Sequence, residues 1–252
     1  MSNQWRVASI GALAGAVLAI AATFVLASAG LLPRSHDSDA KAIHAYLLEH
    51  PDVVVEMTNK LTVIDDARTA RDQADTLQRI GLKTFFDPKV AFVTGPTSAK
   101  MTLVEFFDYN CPYCRASVPA LKKYYEAHKN DTRFSFIEFP IKGPNSIIAA
   151  RAGLAARNQP DKYLAFHFAL MNEEGMVTED IVYADAAKAG LDVAKLKADM
   201  NSKTIDDAIA TAHKLAIRAK IDGTPTFLIN GKLRPGAVDY ETLDALMKGK
   251  AA

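Results

Sequence analysis

The sequence VEFFDYNCPYCR, residues 104–115, decides the fold. It contains Cys111 and Cys114, the only two cysteines of the 252-residue chain. A disulfide between them would close a very short loop, and such a loop constrains the unfolded chain little because the entropic gain grows with loop length. The pair is therefore better suited to repeated oxidation and reduction than to holding a fold together.

The residues on either side of the pair predict a strand followed by a helix. Residues 101–107 are mostly apolar, β-branched or aromatic, which is typical of a buried strand, and residues 115–127 are typical of a helix. Cys111 would then lie at a helix N-terminus, where unpaired N–H groups and the helix dipole favour a thiolate. A thiolate is the form of cysteine that attacks a disulfide.

Structural zinc and an inert cysteine pair are the minor alternatives. A four-coordinate zinc site needs two more ligands, but the chain has no further cysteine and its 6 histidines show no paired ligand spacing. We predict no metal ligands. His167, alone in an apolar helical stretch, is interpreted as a packed core residue, and Arg115 as a solvated helix residue rather than a source of positive potential.

Residues 104–115 resemble the strand, active-site loop and helix start of the DsbA-like branch of the thioredoxin superfamily. A second segment, residues 221–231, is similar to the one in which thioredoxin-like proteins hold a cis-proline against the cysteine pair. The likeness covers roughly residues 85–250. It is strongest to periplasmic proteins of the copper-sensitivity-suppressor (ScsC) and Com1 type, in which a helical segment precedes the catalytic domain.

The resemblance implies an α/β, thioredoxin-like fold with a DsbA-type helical insertion at about residues 146–220, preceded by a small α-helical N-terminal segment. The residues themselves predict that the strands near 102–107 and 133–139 pair in parallel, with a helix between them. Asn230-Gly231 predicts a hairpin turn between strands 226–229 and 232–234. Asp239 is expected to cap the last helix.

The resemblance also assigns roles to individual residues. Cys111 would be the nucleophile and Cys114 the resolving thiol, so we expect Cys111 to be the more acidic and the more exposed of the two. Pro225 would be the cis-proline. Substrate would be bound at Thr224 and Pro225 and at Pro112 and Tyr113, the two residues between the cysteines. Tyr113 departs from the Pro-His of strongly oxidising members, which leaves the redox potential open.

Glu105 lies in the predicted strand among apolar neighbours, six residues before Cys111. A buried carboxyl at this place, with its pKa raised by desolvation, could accept and return a proton during exchange. The family has an acid at the matching position, so Glu105 is a candidate catalytic residue. The alternative is a strand-end glutamate that reaches water.

The N-terminus predicts export. Residues 7–33 carry no charge and follow Arg6, which fits a secretory signal or a membrane anchor at residues 1–33. Ala27-Ser28-Ala29 is a suitable cleavage site, and we favour cleavage slightly. Either outcome places the cysteine pair outside the cytoplasm, in the periplasm, where disulfides persist.

Residues 37–83 predict a separate helical segment that is too small to bury a core alone. Asp39 would cap a first helix that ends before Pro51, and a second helix would carry an apolar stripe: Val54, Met57, Leu61, Ile64, Leu77 and Ile80. A like segment makes oligomers in the relatives, which implies a homo-oligomer. The alternative is an arm folded back on its own domain.

We therefore expect an exported thiol–disulfide oxidoreductase or isomerase that acts on unfolded or disulfide-containing exported proteins and is reset by a membrane redox partner. Isomerisation or reduction is slightly favoured over oxidation. No cofactor is implied, because the two sulfurs carry the electrons. With 30 basic and 29 acidic residues and no basic stripe, nucleic acid is not an expected partner. The alternative is a Cu(I)-binding or copper-tolerance module that uses the same two thiols.

Overall fold

Helices and strands make up most of the described part of this computed structural model, which covers residue 25 and residues 35–249. The helices are α1 (Ser35–Glu49), α2 (Pro51–Ile80), a 3₁₀ helix (Leu82–Phe86), α3 (Pro112–His128), α4 (Pro144–Ala156), α5 (Pro160–Asn172), α6 (Glu179–Lys188), α7 (Val193–Met200), α8 (Lys203–Arg218) and α9 (Tyr240–Met247). The strands are β1 (Ala91–Thr94), β2 (Met101–Phe107), β3 (Thr132–Glu138), β4 (Thr226–Ile229) and β5 (Lys232–Pro235).

The predicted signal or anchor at residues 1–33 lies, apart from Val25, outside the described residues. Within the described ranges, none of the helices combines the length and the apolar character that crossing a bilayer requires. The chain divides into two compact units, Met1–Ala67 and Arg68–Ala252, and the division falls inside α2.

The smaller unit contains α1 and the first part of α2. The predicted break at Pro51 is confirmed, since α1 ends at Glu49 and α2 begins at Pro51 itself. The predicted cap at Asp39 is wrong: the helix begins at Ser35 and runs through Asp39. The preference of Asp for the N-cap position does not make the helix begin at Asp39, because the residues on both sides of it are helical. Apolar side chains of this unit are exposed, among them Ile43, Tyr46, Val54, Met57, Leu61 and Ile64.

The larger unit is built on a five-stranded sheet with strand order β1-β3-β2-β4-β5. The predicted parallel pairing of β2 with β3 is confirmed, and α3 connects the two strands. The other three strand pairs, β1 with β3, β2 with β4 and β4 with β5, are antiparallel. Five helices, α4–α8, lie between β3 and β4 in the chain.

Each face of the sheet carries an apolar layer. Phe107 and Phe136 lie in the layer that includes residues of α3, α4 and α5, whereas Val104 and Phe106 lie in the layer with the 3₁₀ helix and α8. Because side chains alternate along a strand, Glu105 shares its face with Phe107 and points into the first layer. The register pairs Glu105 with Phe136 and Phe107 with Glu138, so two carboxyl groups lie on the same face of neighbouring strands.

Two local predictions in the C-terminal part are confirmed. Asn230 and Gly231 both have positive φ, 48° and 83°, and connect β4 to β5 as a hairpin. The Asp239 side chain accepts a hydrogen bond from the Thr242 N–H at 2.7 Å and so caps α9.

Candidate active site

The cysteine pair lies at the start of α3. Cys111 is the N-cap residue, with extended backbone angles, and Pro112 is the first helical residue, where its missing N–H costs nothing. The Cys111 carbonyl accepts hydrogen bonds from the N–H groups of Cys114 and Arg115 at 3.1 and 3.2 Å. The Cys111 sulfur therefore lies at the positive end of the helix.

A second loop meets Cys111 from the far end of the chain. The predicted cis peptide bond between Thr224 and Pro225 is confirmed. The Cys111 thiol donates a hydrogen bond to the Thr224 carbonyl at 3.1 Å. The fold thus brings together the two segments that the sequence singled out, although they are separated by 113 residues.

The surroundings of Cys111 favour its thiolate. They lower its pKa from 9.0 to about 5, chiefly through a hydrogen bond from Cys114, which together with the smaller causes outweighs the opposing effect of burial. The Thr224 side chain and the backbone N–H groups of Cys114 and Tyr113 act in the same direction. The Thr224 hydroxyl oxygen is buried and has no other hydrogen-bond partner among the described residues, so it is free to donate to the thiolate.

Cys114 has the opposite character. Burial raises its pKa far above that of an ordinary thiol, and the hydrogen bond to Cys111 and the Glu105 charge add to the effect. The expectation that Cys111 is the more exposed thiol is wrong, because both cysteines are 1% exposed. The two thiols therefore differ in electrostatic environment rather than in exposure. Both are free cysteines in this structure.

Glu105 is 1% exposed, in the middle of β2. Burial, and secondarily the nearby Cys111 charge, raises the pKa of its carboxyl from 4.5 to about 8. Its Oε2 has no hydrogen-bond partner among the described residues. The alternative of a strand-end glutamate that reaches water is therefore excluded, and the carboxyl can change protonation state close to neutral pH.

The two residues between the cysteines face solvent. Pro112 is exposed and Tyr113 is 65% exposed, whereas Pro225 across from them is buried. The Tyr113 side chain is thus an exposed aromatic surface two residues after the reactive cysteine.

Asp108, which the sequence analysis did not single out, anchors the loop between β2 and α3. Its buried carboxylate accepts four hydrogen bonds: from the N–H groups of Ile141 and Lys142 at 2.8 and 2.9 Å, from the Asn110 N–H at 2.8 Å, and from the Ser146 hydroxyl at 2.7 Å. Asp108 comes directly after a strand, and an Asp side chain in a turn often accepts a hydrogen bond from the backbone N–H two residues on, so the local bond to Asn110 could have been predicted. The three other bonds reach residues 33 to 38 positions away.

Asn110 and Arg115 complete the anchoring of this loop. The Asn110 side chain accepts a hydrogen bond from the Val177 N–H at 2.7 Å. Arg115 donates two hydrogen bonds, at 3.2 and 2.9 Å, to the carbonyl of Tyr109. The interpretation of Arg115 as a freely solvated residue is therefore wrong, because its guanidinium binds the loop that precedes Cys111.

His167 is a core residue, as predicted. It is 1% exposed, and burial lowers its pKa to about 3, so the imidazole is neutral. Its Nδ1 lies 3.2 Å from the Tyr109 hydroxyl. In the part of the chain that the structure describes, no three His, Cys, Asp or Glu side chains come together as a group that could hold a metal ion.

Comparison with known proteins identifies the family. Residues 102–248 match the DSBA-like thioredoxin domain, which is more than half of the chain. A thioredoxin-like oxidoreductase from Silicibacter pomeroyi DSS-3 is 40% identical, with 68% of this chain and 99% of that chain covered and a TM-score of 0.61. The catalytic domain of Proteus mirabilis ScsC is 28% identical, with 70% and 97% covered and a TM-score of 0.63.

Among curated proteins, disulfide bond formation protein D of Bacillus subtilis (strain 168) is 30% identical over 174 residues, which is 63% of this chain and 78% of that protein. The chain spans about a quarter of the length of other curated relatives. It is 29% identical over 162 residues to a Na(+)/H(+) antiporter NhaA of Herminiimonas arsenicoxydans, of which it covers 26%.

The chain belongs to the family of DSBA-like thioredoxin domains. Within that family it is close to the ScsC type, as the resemblance of residues 104–115 and 221–231 implied.

Proposed function

We propose that this protein is an extracytoplasmic thiol–disulfide oxidoreductase in which Cys111 is the nucleophile and Cys114 the resolving thiol. One observation carries the proposal: two thiols of opposite acidity lie at one helix start, with the Cys111 sulfur 3.1 Å from the carbonyl before Pro225. Disulfide exchange needs one thiol that is ionised and one that ionises later.

In the first step the Cys111 thiolate attacks a substrate disulfide. A bond forms between Cys111 and one substrate sulfur, and the other substrate sulfur leaves as a thiolate. The Cys111 pKa of about 5 makes the thiolate the main form at neutral pH. The same low pKa makes Cys111 a good leaving group in the next step, because acidic thiols leave faster.

In the second step Cys114 resolves the mixed disulfide. Its proton has to leave before its sulfur can attack Cys111, and burial makes spontaneous loss unfavourable. Glu105, with a pKa of about 8, is the base that would take that proton. The products are a reduced substrate and a Cys111–Cys114 disulfide. The reverse sequence of steps oxidises a substrate dithiol.

Thr224, Pro225, Pro112 and Tyr113 would bind the substrate. The Thr224 carbonyl lies 3.1 Å from the reactive sulfur, and the exposed Tyr113 follows Cys111 by two residues, so we propose that a substrate strand contacts both. We propose unfolded or disulfide-containing exported proteins as substrates, a membrane redox partner, and a periplasmic location. The uncharged residues 7–33 support export.

Isomerisation is the mode that this account favours. In isomerisation the substrate's own thiol attacks the mixed disulfide and restores the Cys111 thiolate, so no net electrons are transferred. A strongly stabilised Cys111 thiolate is ready for that cycle. The exposed apolar stripe on α2 supports an oligomer, in which several sites would face one client.

Two activity assays test the proposal. The wild-type protein should reduce insulin with a small-thiol reductant and restore activity to scrambled ribonuclease. Cys111→Ala should abolish both activities. Glu126→Ala is the control, because it truncates an exposed side chain near the far end of the same helix. Full activity of the Cys111→Ala variant in both assays would refute the function.

A further inference from the structure

Glu138 is a second buried acid that the proposed mechanism does not use. It is the last residue of β3, is 2% exposed, and lies on the same sheet face as Glu105. Neither of its carboxyl oxygens meets hydrogen-bond geometry with another described residue. A buried polar group without a hydrogen-bond partner lowers the stability of the fold by about 1–3 kcal/mol, so the burial of Glu138 needs an explanation.

Gly153 on α4 makes room for this carboxyl. A Cβ atom at that position would overlap Oε1 of Glu138 and would lie 2.9 Å from the hydroxyl oxygen of Tyr109. The Glu138 carboxyl and the Tyr109 hydroxyl therefore share one small space against the helix backbone. They are close enough for Glu138 to raise the pKa of Tyr109, after the larger effect of burial.

Tyr109 is connected to the reactive loop at both of its ends. Its backbone carbonyl accepts the two hydrogen bonds from Arg115, and its hydroxyl lies 3.2 Å from His167 Nδ1. It stands two residues before Cys111, and the Cys111 N–H donates to the Asp108 carbonyl at 3.0 Å. A group that fixes the Tyr109 ring therefore fixes the turn from which the Cys111 sulfur projects.

We propose that Glu138 is a positioning residue of the redox centre, which holds the Tyr109 hydroxyl against Gly153 and so fixes the loop that carries Cys111. This inference rests on the proposed function of Cys111. It assigns a role to a carboxyl that touches neither sulfur.

The charges around Glu138 set the form in which it acts. Two carboxyls on one face of a dry sheet cannot both ionise without a large cost, and Glu105 is already the one beside the sulfurs. Burial, with added repulsion from Asp108 and Glu105, raises the pKa of Glu138 well above its ordinary value. The titratable groups that face this cluster are Glu105, Asp108, Tyr109, Arg157, Tyr163 and His167.

A neutral Glu138 is a hydrogen-bond donor. It can donate to the Tyr109 oxygen, and the Tyr109 hydroxyl can in turn donate to Nδ1 of the neutral His167. All three side chains then act as uncharged partners, which suits a site without water contact. A hydrogen bond from Tyr109 and the Arg157 charge both lower the Glu138 pKa and oppose this form, but burial outweighs them.

Four variants test the proposal. Glu138→Gln keeps the shape and a donor, Glu138→Leu removes both polar atoms, and Gly153→Ala displaces the carboxyl without changing either partner. Asp185→Asn is the control, because Asp185 is an equally buried carboxyl, and it accepts a hydrogen bond from Lys188 on α6. Each purified full-length protein is compared for the pH dependence of Cys111 alkylation, for amide hydrogen exchange of the loop, and for Tm.

The Leu and Ala variants should move the midpoint of the Cys111 alkylation profile upward by about one pKa unit, which slows alkylation about tenfold at acidic pH. The reason is that a loosened loop misaligns the donors that stabilise the thiolate. Amide exchange at Asn110 and Cys111 should become faster. Glu138→Gln and the Asp185→Asn control should match the wild type in both measurements. Infrared spectra should show a protonated carboxyl band that Glu138→Gln abolishes.

Three results would overturn the proposal. If Glu138→Leu and Gly153→Ala lower Tm but leave the alkylation profile and loop exchange unchanged, Glu138 is only structural. If Glu138→Gln behaves like Glu138→Leu, or if the infrared band is that of a carboxylate, the residue does not act as a neutral donor. These outcomes are separate from the fate of the proposed function, which depends on the loss of insulin reduction in Cys111→Ala.

Discussion

At the scale of single residues, the hydrogen bond between the two thiols shifts their pKa values in opposite directions. Cys114 donates to Cys111 and lowers its pKa, and the same contact raises the pKa of Cys114 itself. The negative charge of Glu105 raises the pKa of the buried Cys114 further. The division of labour between nucleophile and resolving thiol is thus a property of the group of three rather than of either cysteine alone.

Cys111 should react first with an alkylating agent at mildly acidic pH. Its pKa of about 5 predicts a rate that rises through pH 5 and is level at neutral pH, whereas Cys114 stays protonated. Mass spectrometry of partially alkylated reduced protein identifies the labelled site. The Cys114→Ala variant serves as a control for labelling at Cys111 alone. Preferential labelling of Cys114 would show that the roles are reversed.

Glu105→Gln should stabilise the reduced protein. Because the folded-state pKa is raised from 4.5 to about 8, the wild type loses stability as the pH rises through that interval. Removing the ionisable group removes that loss, so the variant should gain about 1–3 kcal/mol at pH 7. Urea unfolding at several pH values measures it. The gain should vanish below pH 4.5, where both states hold the proton.

The same variant should resolve mixed disulfides more slowly, because no base remains to take the Cys114 proton. Glu241→Gln is the matched control. Glu241 is exposed in the first turn of α9, far from Glu105 in the sequence, so this variant makes the same chemical change at the surface. Unchanged stability together with unchanged resolution in Glu105→Gln would remove Glu105 from the catalytic set.

At the scale of elements, the loop from Phe107 to Pro112 is fixed by the helical insertion. Asp108 binds the segment before α4, and Asn110 binds the segment before α6. The strand and the helix around the cysteines are local features, and so the sequence predicted them. These anchors depend on residues 33 to 67 positions away, and for that reason no local pattern revealed their partners.

Asp108→Ala should destabilise the protein by about 2–4 kcal/mol, because it removes four hydrogen bonds and leaves two partly buried backbone N–H groups without that partner. Ser146→Ala removes only one of the four bonds and should cost about 1 kcal/mol. Urea unfolding compares the two variants. Equal losses in both would mean that the backbone bonds of Asp108 carry no special weight.

Other elements show where sequence patterns succeed. The Asn230-Gly231 hairpin and the Asp239 cap depend on short-range geometry, and both were predicted. Asp39 fits the same rule for caps, yet it lies within α1. The burial of Glu105 followed from its apolar neighbours, whereas the contact of Glu138 with α4 requires Gly153, which only the fold brings close.

At the scale of the whole molecule, the exposed apolar stripe on α2 is the feature that suggests association with another chain. Val54, Met57, Leu61 and Ile64 recur at helical spacing and are each at least half exposed. A contiguous apolar surface of this kind is typical of an association surface in a soluble protein. The proposal is a homo-oligomer formed through residues 37–83.

Light scattering of the exported form should therefore give a mass above that of one chain. A double variant, Leu61→Glu with Ile64→Glu, should reduce it to a monomer, because two charges in the stripe would have to be buried. Asp65→Lys, which changes an exposed charged position of the same helix, is the control and should keep the oligomer. Scrambled-ribonuclease activity should fall with the oligomer. A monomeric wild type would contradict this proposal.

The central claim is that Cys111 forms a mixed disulfide which Cys114 resolves, and trapping tests it most directly. Cys114→Ala, incubated with scrambled ribonuclease, should accumulate a covalent adduct that mass spectrometry places at Cys111 and that a reductant releases. The wild type should show little adduct, because Cys114 resolves it. Cys111→Ala with Cys114→Ala should show none. Failure of Cys114→Ala to form any adduct at Cys111, under conditions where its thiol is alkylated, would contradict the account.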